Sequence, residues 1–244
     1  MMQAEYPVRE TPDIVTASDD YASRFSGPAG TYFLEVQNQA VARVLGNVPS
    51  GSTLLDLGGG HAQLLGLLKE MGRVTEAGSD DSCHERVRRE HPEVSCTTVD
   101  LLNLPFSDQS FDYVVSVRLI SHMQNWPRLI AEMCRVAKTG VIIDYPSWAS
   151  LNILTPLLFA LKKNIEGNTR SYLSFYQSQL MREFIKHGFG KSRSRKQFFW
   201  PMFIHRKLNG AAIVQTLEKV ASRFGLTALL GSPVILRADR LPPD

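Results

Sequence analysis

Asp56, Gly58 and Gly60 sit together in the stretch Asp56-Leu57-Gly58-Gly59-Gly60. The apolar run Thr53-Leu54-Leu55 precedes it, and a helical pattern of Leu64, Leu65, Leu67, Leu68 and Met71 follows. That order reads as a strand, a glycine turn and a helix, with a carboxylate at the strand end. Glycines without Cβ let a ligand lie against the backbone. A turn built only for phosphates gains nothing from a nearby negative charge, whereas a carboxylate suits a ligand with a cationic part such as an ammonium. The dinucleotide fingerprint G-x-G-x-x-G/A fits Gly58 and Gly60 but meets Gln63 at its third position. The pattern acidic-x-G-x-G is satisfied by Asp56, Gly58 and Gly60. A plain strand-to-helix turn remains a third reading.

Further carboxylates recur at other expected strand ends. Gly78-Ser79-Asp80-Asp81-Ser82 closes a second strand, about 20 residues past the glycine turn, where an acidic side chain accepts both ribose hydroxyls. Asp80 is the choice for this role, with Asp81 as neighbour; capping of the next helix is the competing use. Val99-Asp100-Leu101 closes a third strand, where Asp100 can accept from an adenine amino group and Leu101 can pack on the ring.

Elements positioning these residues alternate from Thr53 onward. Strands are expected at 53–57, 74–79, 94–99, 111–117 and 141–145, with helices near 62–71, 82–90 and from Asn125, where Pro127 stands early enough to be tolerated. Strand–helix alternation predicts a parallel sheet covered on both faces, with ligands at the carboxyl ends of the strands. Helices near 177–187 and 210–224 and a last strand near 233–238 follow; the sheet is expected to have seven strands, of which these ranges place six. The expected fold is α/β and Rossmann-like, mostly parallel, with an inserted helical cap.

The spacing of the pieces resembles the class I S-adenosylmethionine (SAM) methyltransferases, specifically their small-molecule "type 11" branch. Asp100 to Asp112 fits D-x-x-x-L-P-F-x-x-x-x-F-D, and Glu132 to Val141 is similar to E-x-x-R-V-L-K-P-G-G, with Thr139 and Val141 in place of proline and the second glycine. The likeness runs from about Tyr21 to Asp144. It implies that Asp56, Gly58 and Gly60 hold the methionine part of SAM, Asp80 the ribose, and Asp100 with Leu101 the adenine. It further implies that Ser116, Val117 and Arg118 line the site beneath the sulfonium, and that Tyr21, Phe25 and Tyr32 form an aromatic lid; plain core packing is the other use for these rings. The implied activity is methyl transfer, with S-adenosylhomocysteine as product. A SAM-binding module without turnover and an NAD-dependent oxidoreductase are the alternatives.

Methyl transfer from a sulfonium is an in-line displacement with an activated leaving group, so alignment does most of the work. A base is needed only where the acceptor must lose a proton. His122, just past the fourth strand, is the candidate, ahead of His187 and His205. No HxxxH, CxxC or paired-carboxylate spacing points to a metal.

The bulk properties bound the rest. Over 244 residues, 43% are hydrophobic and 21% charged, as in an ordinary globular protein. Cys83, Cys96 and Cys134 read as reduced thiols in a cytoplasmic protein. The polar first twenty residues lack the apolar core of a signal peptide, and the apolar stretch 151–161 is too short to span a bilayer. Net charge is +3, but Arg182 to Lys207 holds eight Lys/Arg against one acid, Glu183. That basic patch suits an anionic substrate, a membrane surface or a solvated edge; a nucleic-acid partner is disfavoured, since no separate binding domain accompanies it. The expected organisation is a leader and lid helix over 1–50, a SAM-binding core over 51–145, a helical substrate cap over 146–176 and the remainder of the sheet domain over 177–244. The expected partner is a small or amphiphilic substrate, with peripheral membrane contact allowed and a monomer or homodimer as the assembly.

Overall fold

The computed structural model describes residues 9–150, 172–208 and 212–242. Its core is a seven-stranded sheet in the order β3-β2-β1-β4-β5-β7-β6. The strands are β1 (Thr53–Leu57), β2 (Arg73–Gly78), β3 (Ser95–Thr98), β4 (Phe111–Ser116), β5 (Ala137–Tyr145), β6 (Phe189–Phe198) and β7 (Ser232–Arg240). β1 to β5 run parallel, while β7 is antiparallel to both β5 and β6. The strand order reverses between β1 and β4, so a crevice opens beside the end of β1.

Successive side chains of a strand leave opposite faces, and here both faces are covered. Leu54, Val115, Ile142 and Ile235 pack with Ala40, Val41, Val44 and Leu45 of helix α3 (Gly27–Leu45) and with Leu68 of α4 (Leu65–Met71). Their sequence neighbours Leu55, Val114, Ile143 and Leu236 pack on the other face with Leu129, Ile130 and Met133 of α6 (Trp126–Val136) and Leu180 and Phe184 of α7 (Gln177–Lys186). Every one of these eight strand side chains is fully buried. The short α5 (Glu85–Glu90) follows a 3-10 turn, Asp81–His84, and closes a smaller cluster around Val87 and Leu65.

Several boundaries differ from the sequence expectation for local reasons. α4 starts at Leu65 rather than near Ala62, because Ala62 holds φ +60° in the turn. β5 begins at Ala137, directly on the end of α6, so no loop separates helix from strand. The strand with no place in the sequence expectation is β6, the edge strand, which contains the basic run Lys191–Lys196, with Lys191 to Arg195 exposed. Charged side chains on an edge strand discourage pairing with another chain. The expected apolar helix at 151–161, and most of the cap at 146–176, lie outside the described residues. Among the described residues no helix is long and apolar enough to cross a membrane.

From Arg9 onward the leader is held to the sheet. Helices α1 (Asp13–Ala17) and α2 (Asp19–Ser23) precede α3, and Asp13 is completely buried. Its carboxylate accepts from Ser79 N–H at 2.7 Å and Ser79 Oγ at 2.5 Å, at the carboxyl end of β2. The Arg9 guanidinium donates to the carbonyls of Ser79 and Val99, tying the ends of β2 and β3. Glu10 accepts from the N–H groups of Gln124 and Asn125 at 2.6 and 2.8 Å, before α6. Asp13→Ala leaves the buried Ser79 N–H without its acceptor, a loss of roughly 1–3 kcal/mol. Urea unfolding should show this as a lower midpoint at unchanged slope, and an unchanged midpoint would remove the anchoring role.

Candidate functional site

Asp56 is the penultimate residue of central strand β1, and its side chain is wholly buried. Neither carboxylate oxygen has a hydrogen-bond partner among the described residues. Burial, then the nearby Glu76, pushes its pKa up to about 8. An unsatisfied buried carboxylate is costly. A ligand that brings donors or positive charge removes that cost.

The turn wraps closely around this group. Gly58 holds φ +71° and donates its N–H to the Ala77 carbonyl at 2.7 Å, which turns the chain off the sheet. A Cβ on Gly59 would stand 2.1 Å from Asp56 Oδ2, so only glycine leaves room for the carboxylate. After the turn, Gln63 N–H donates to His61 Nδ1 at 3.2 Å. His61 is almost completely buried, and burial lowers its pKa to about 3, so it stands neutral.

The end of β4 supplies the opposite wall. Ser116 Oγ donates to the Leu57 carbonyl at 2.9 Å, joining β4 to the turn. Buried Val117 offers its carbonyl to His61 Nε2 at 3.4 Å. Arg118 takes a left-handed backbone, φ +65°, which for a non-glycine residue marks a constrained position. Its N–H donates to Asp144 Oδ1 at 2.6 Å, at the end of β5. Its guanidinium donates to Gln63 Oε1 and, at 2.7 Å, to Gln37 Oε1 of α3, and lies 3.8 Å from the centre of the Phe25 ring. Burial lowers the Arg118 pKa, while Tyr21 and Asp144 favour the charged form. Burial pushes Asp144 up to about 6 against the hydrogen bond and charge of Arg118.

The remaining expected residues sit at adjoining strand ends. Asp80 is exposed and accepts from Ser82 N–H at 3.0 Å and Ser82 Oγ at 2.7 Å, so it caps the 3-10 turn. Asp81 pairs with Arg88 at 2.7 Å on the surface. Asp100 Oδ1 accepts from Leu102 N–H at 2.9 Å, and Leu101 is fully buried. Arg9 bridges the carbonyls immediately before Asp80 and Asp100, which puts these two strand ends side by side. Tyr21 meets Phe25 with ring centres 5.7 Å apart. Tyr32 stacks on His205 at 5.8 Å, in one cluster with Phe25, Phe33 and Phe198 against which Tyr21 also packs. His122 ends the 3-10 turn Ile120–His122 after β4, on the carboxyl edge of the sheet. His205 is completely buried against Glu218 at 3.0 Å, and His187 pairs with Glu183 at 3.4 Å near the end of α7.

Gln37, Gln63 and Asp144 belong to the site but were not expected there. Asp144 had a legible signal, a carboxylate at a strand end. Gln63 was read only as a misfit to the dinucleotide pattern, and nothing in the sequence pairs Gln37 with Arg118.

Residues 55–143 match a family described as the methyltransferase domain. Norajmaline N-methyltransferase of Rauvolfia serpentina is 41% identical over 29% of this chain and 24% of its own length. A 2-phytyl-1,4-naphtoquinone methyltransferase of Nostoc punctiforme is 33% identical over 39% of this chain and 47% of its own. The chain thus spans less than half of either relative. Among solved structures, a SAM-dependent methyltransferase of Thermotoga maritima superposes with a TM-score of 0.65 at 18% identity, over 93% of this chain and 98% of that one.

The raised pKa of Asp56 makes a pH prediction. In the unfolded chain an aspartate titrates near 3.9, so between there and about 8 the folded state holds the extra proton. The stability from that proton is fully present below about pH 4 and is lost as pH rises towards 8, at up to about 1.4 kcal/mol per pH unit. Without added ligand, Asp56→Asn should therefore gain on the wild type between pH 5 and pH 8 in urea unfolding. A constant difference between the two proteins across that range would show that Asp56 is not held protonated.

Proposed function

The chain belongs to the class I SAM-dependent methyltransferase family through residues 55–143, and we propose that it transfers a methyl group from SAM to an anionic, apolar small-molecule acceptor. The carrying observation is the buried Asp56 carboxylate, without a donor on either oxygen among the described residues, against a turn where only glycine at 59 leaves room for it. These residues fit a ligand with a cationic amino-acid end. Asp56 with Gly58 and Gly60 would hold the methionine part of SAM, Asp80 the ribose hydroxyls, and Asp100 with Leu101 the adenine. When bound, SAM supplies a sulfonium methyl that a nucleophile takes by in-line displacement.

The chain's own part is binding, alignment and exclusion of water. Asp80 needs only to turn from Ser82 to meet a ribose, because its side chain is exposed. The strap from Arg9 to Ala17 crosses the ends of β2 and β3 and would cover that half of the site. Arg118 supports the acceptor class. It is a half-buried cation held by two neutral amide oxygens and an aromatic face; nearby Asp144 offsets part of its charge but accepts from its backbone N–H, so the guanidinium can still meet an anion. The rings of Tyr21 and Phe25 beside it suit an apolar body. The relative from Nostoc, named for a phytyl-naphthoquinone, accords with the apolar body of such an acceptor. His122 is the residue to take a proton where the acceptor must release one.

Two measurements separate the parts of this reading. Asp80→Ala should weaken SAM binding roughly 10- to 100-fold, the loss of charge-assisted hydrogen bonds, with the fold intact by circular dichroism; unchanged affinity would cancel the ribose assignment. Labelled methyl should pass from SAM to apolar acids more readily than to their neutral esters, and Arg118→Lys should raise KM for the acid while leaving SAM affinity unchanged. Tight SAM binding with no transfer to any acceptor would favour a binding module without turnover. Weaker SAM binding in Arg118→Lys would move Arg118 to the cofactor.

A further inference from the structure

Glu76 on β2, His84 at the end of the 3-10 turn and Cys96 on β3 converge beside the proposed ribose-side turn. Glu76 and Cys96 are register partners on adjacent strands, so their side chains leave the same face of the sheet. One potential ligand atom from each of the three residues lies within 4.8 Å of the other two. Glu76 and His84 are completely buried, while Cys96 is half-buried and gives access from solvent. Gly78 makes room for the imidazole, since a Cβ there would stand 3.2 Å from His84 Cε1.

A simple Glu–His pair leaves part of this arrangement unexplained. His84 Nδ1 meets Glu76 Oε2 at 2.5 Å, but Glu76 Oε1 is buried with no hydrogen-bond partner among the described residues, and the Cys96 thiol, 3.6 Å from the Val94 carbonyl, bears on the same carboxylate. Meanwhile His84 Nε2 lies 3.0 Å from Thr98 Oγ1. A hydrogen bond from the far nitrogen is the usual support for a metal-ligating histidine, because it fixes the ring with the near nitrogen facing the metal, and the Thr98 hydroxyl can accept it here.

The geometry points to a structural site for one divalent metal ion of the zinc type, held by Glu76, His84 and Cys96. One carboxylate and one thiolate balance a 2+ charge, so the buried site is neutral overall. Binding forms a sulfur–metal bond, and two protons leave to solvent: the thiol proton and the one shared by His84 Nδ1 and Glu76 Oε2. Zinc bonds of about 2.0–2.3 Å need Glu76 Oε2 and His84 Nδ1, now 2.5 Å apart, to part by under about 1 Å while the thiol turns in, which side-chain rotation allows. A water entering past Cys96 completes four-coordination. The ion would pin edge strand β3 and the turn bearing Asp80 to β2.

The test uses the full, untagged chain stripped with a chelator and titrated with Co2+, followed by Zn2+. The wild type should bind one equivalent of Co2+ with a thiolate-to-cobalt charge-transfer band, which Zn2+ abolishes, and Zn2+ should raise its Tm. Cys96→Ser, folded by circular dichroism, should lose the band, and both it and His84→Asn should bind Zn2+ at least tenfold more weakly. A band that persists in Cys96→Ser would overturn the site. So would a wild type with neither a band at one equivalent nor a Tm shift with Zn2+, a result that needs no variant to fold.

Discussion

A carboxylate buried at the tip of the central strand, with nothing to bond to, organises the rest of this molecule. Asp56 lies where the strand order reverses, at the one place in an open parallel sheet where the crevice between connections exposes a strand end to a ligand. Holding it there is costly, because both oxygens are out of water and lack donors. The surrounding features are arranged around that cost. The chain turns away at Gly58 with a positive φ, and Gly59 packs its bare Cα against the carboxylate. The next strand end brings Arg118 and Asp144, which hold each other through a backbone hydrogen bond. A site built this way is strained without its ligand and relaxed with it, which is how binding energy becomes selectivity for a cationic ligand.

The sheet makes that placement rigid. Alternate residues of the inner strands feed two separate apolar clusters, one under α3 and α4 and one under α6 and α7. A slip of one residue in β1 would exchange Leu54 and Leu55 between these clusters and turn Asp56 to the other face. Register of the core and orientation of the site are therefore one constraint. The strap from Arg9 to Ala17 adds a second layer, since it bonds to the very carbonyls that precede Asp80 and Asp100.

Local pattern made some of this legible. The strand–glycine–helix order, the carboxylates at successive strand ends and the alternation of elements each follow from short-range chemistry, and the architecture follows from them. What pattern could not show was contact between distant segments. Gln37 reaches Arg118 across 81 positions, and Asp13 reaches Ser79 across 66, with no periodic signal linking either pair. The strap read as a polar leader because polar side chains, Arg9, Glu10 and the buried Asp13, carry its docking. The basic run read as a patch because charges on an edge strand hide the alternation that marks a strand. Spacing rules for metals search along the chain, whereas Glu76 and Cys96 meet through strand register.

The central claim is that the end of β1 is a SAM site. Calorimetric titration of the folded chain with SAM, and with S-adenosylhomocysteine for comparison, tests it most directly. The account predicts saturable binding of both with one equivalent per chain. A folded chain that binds neither would contradict it.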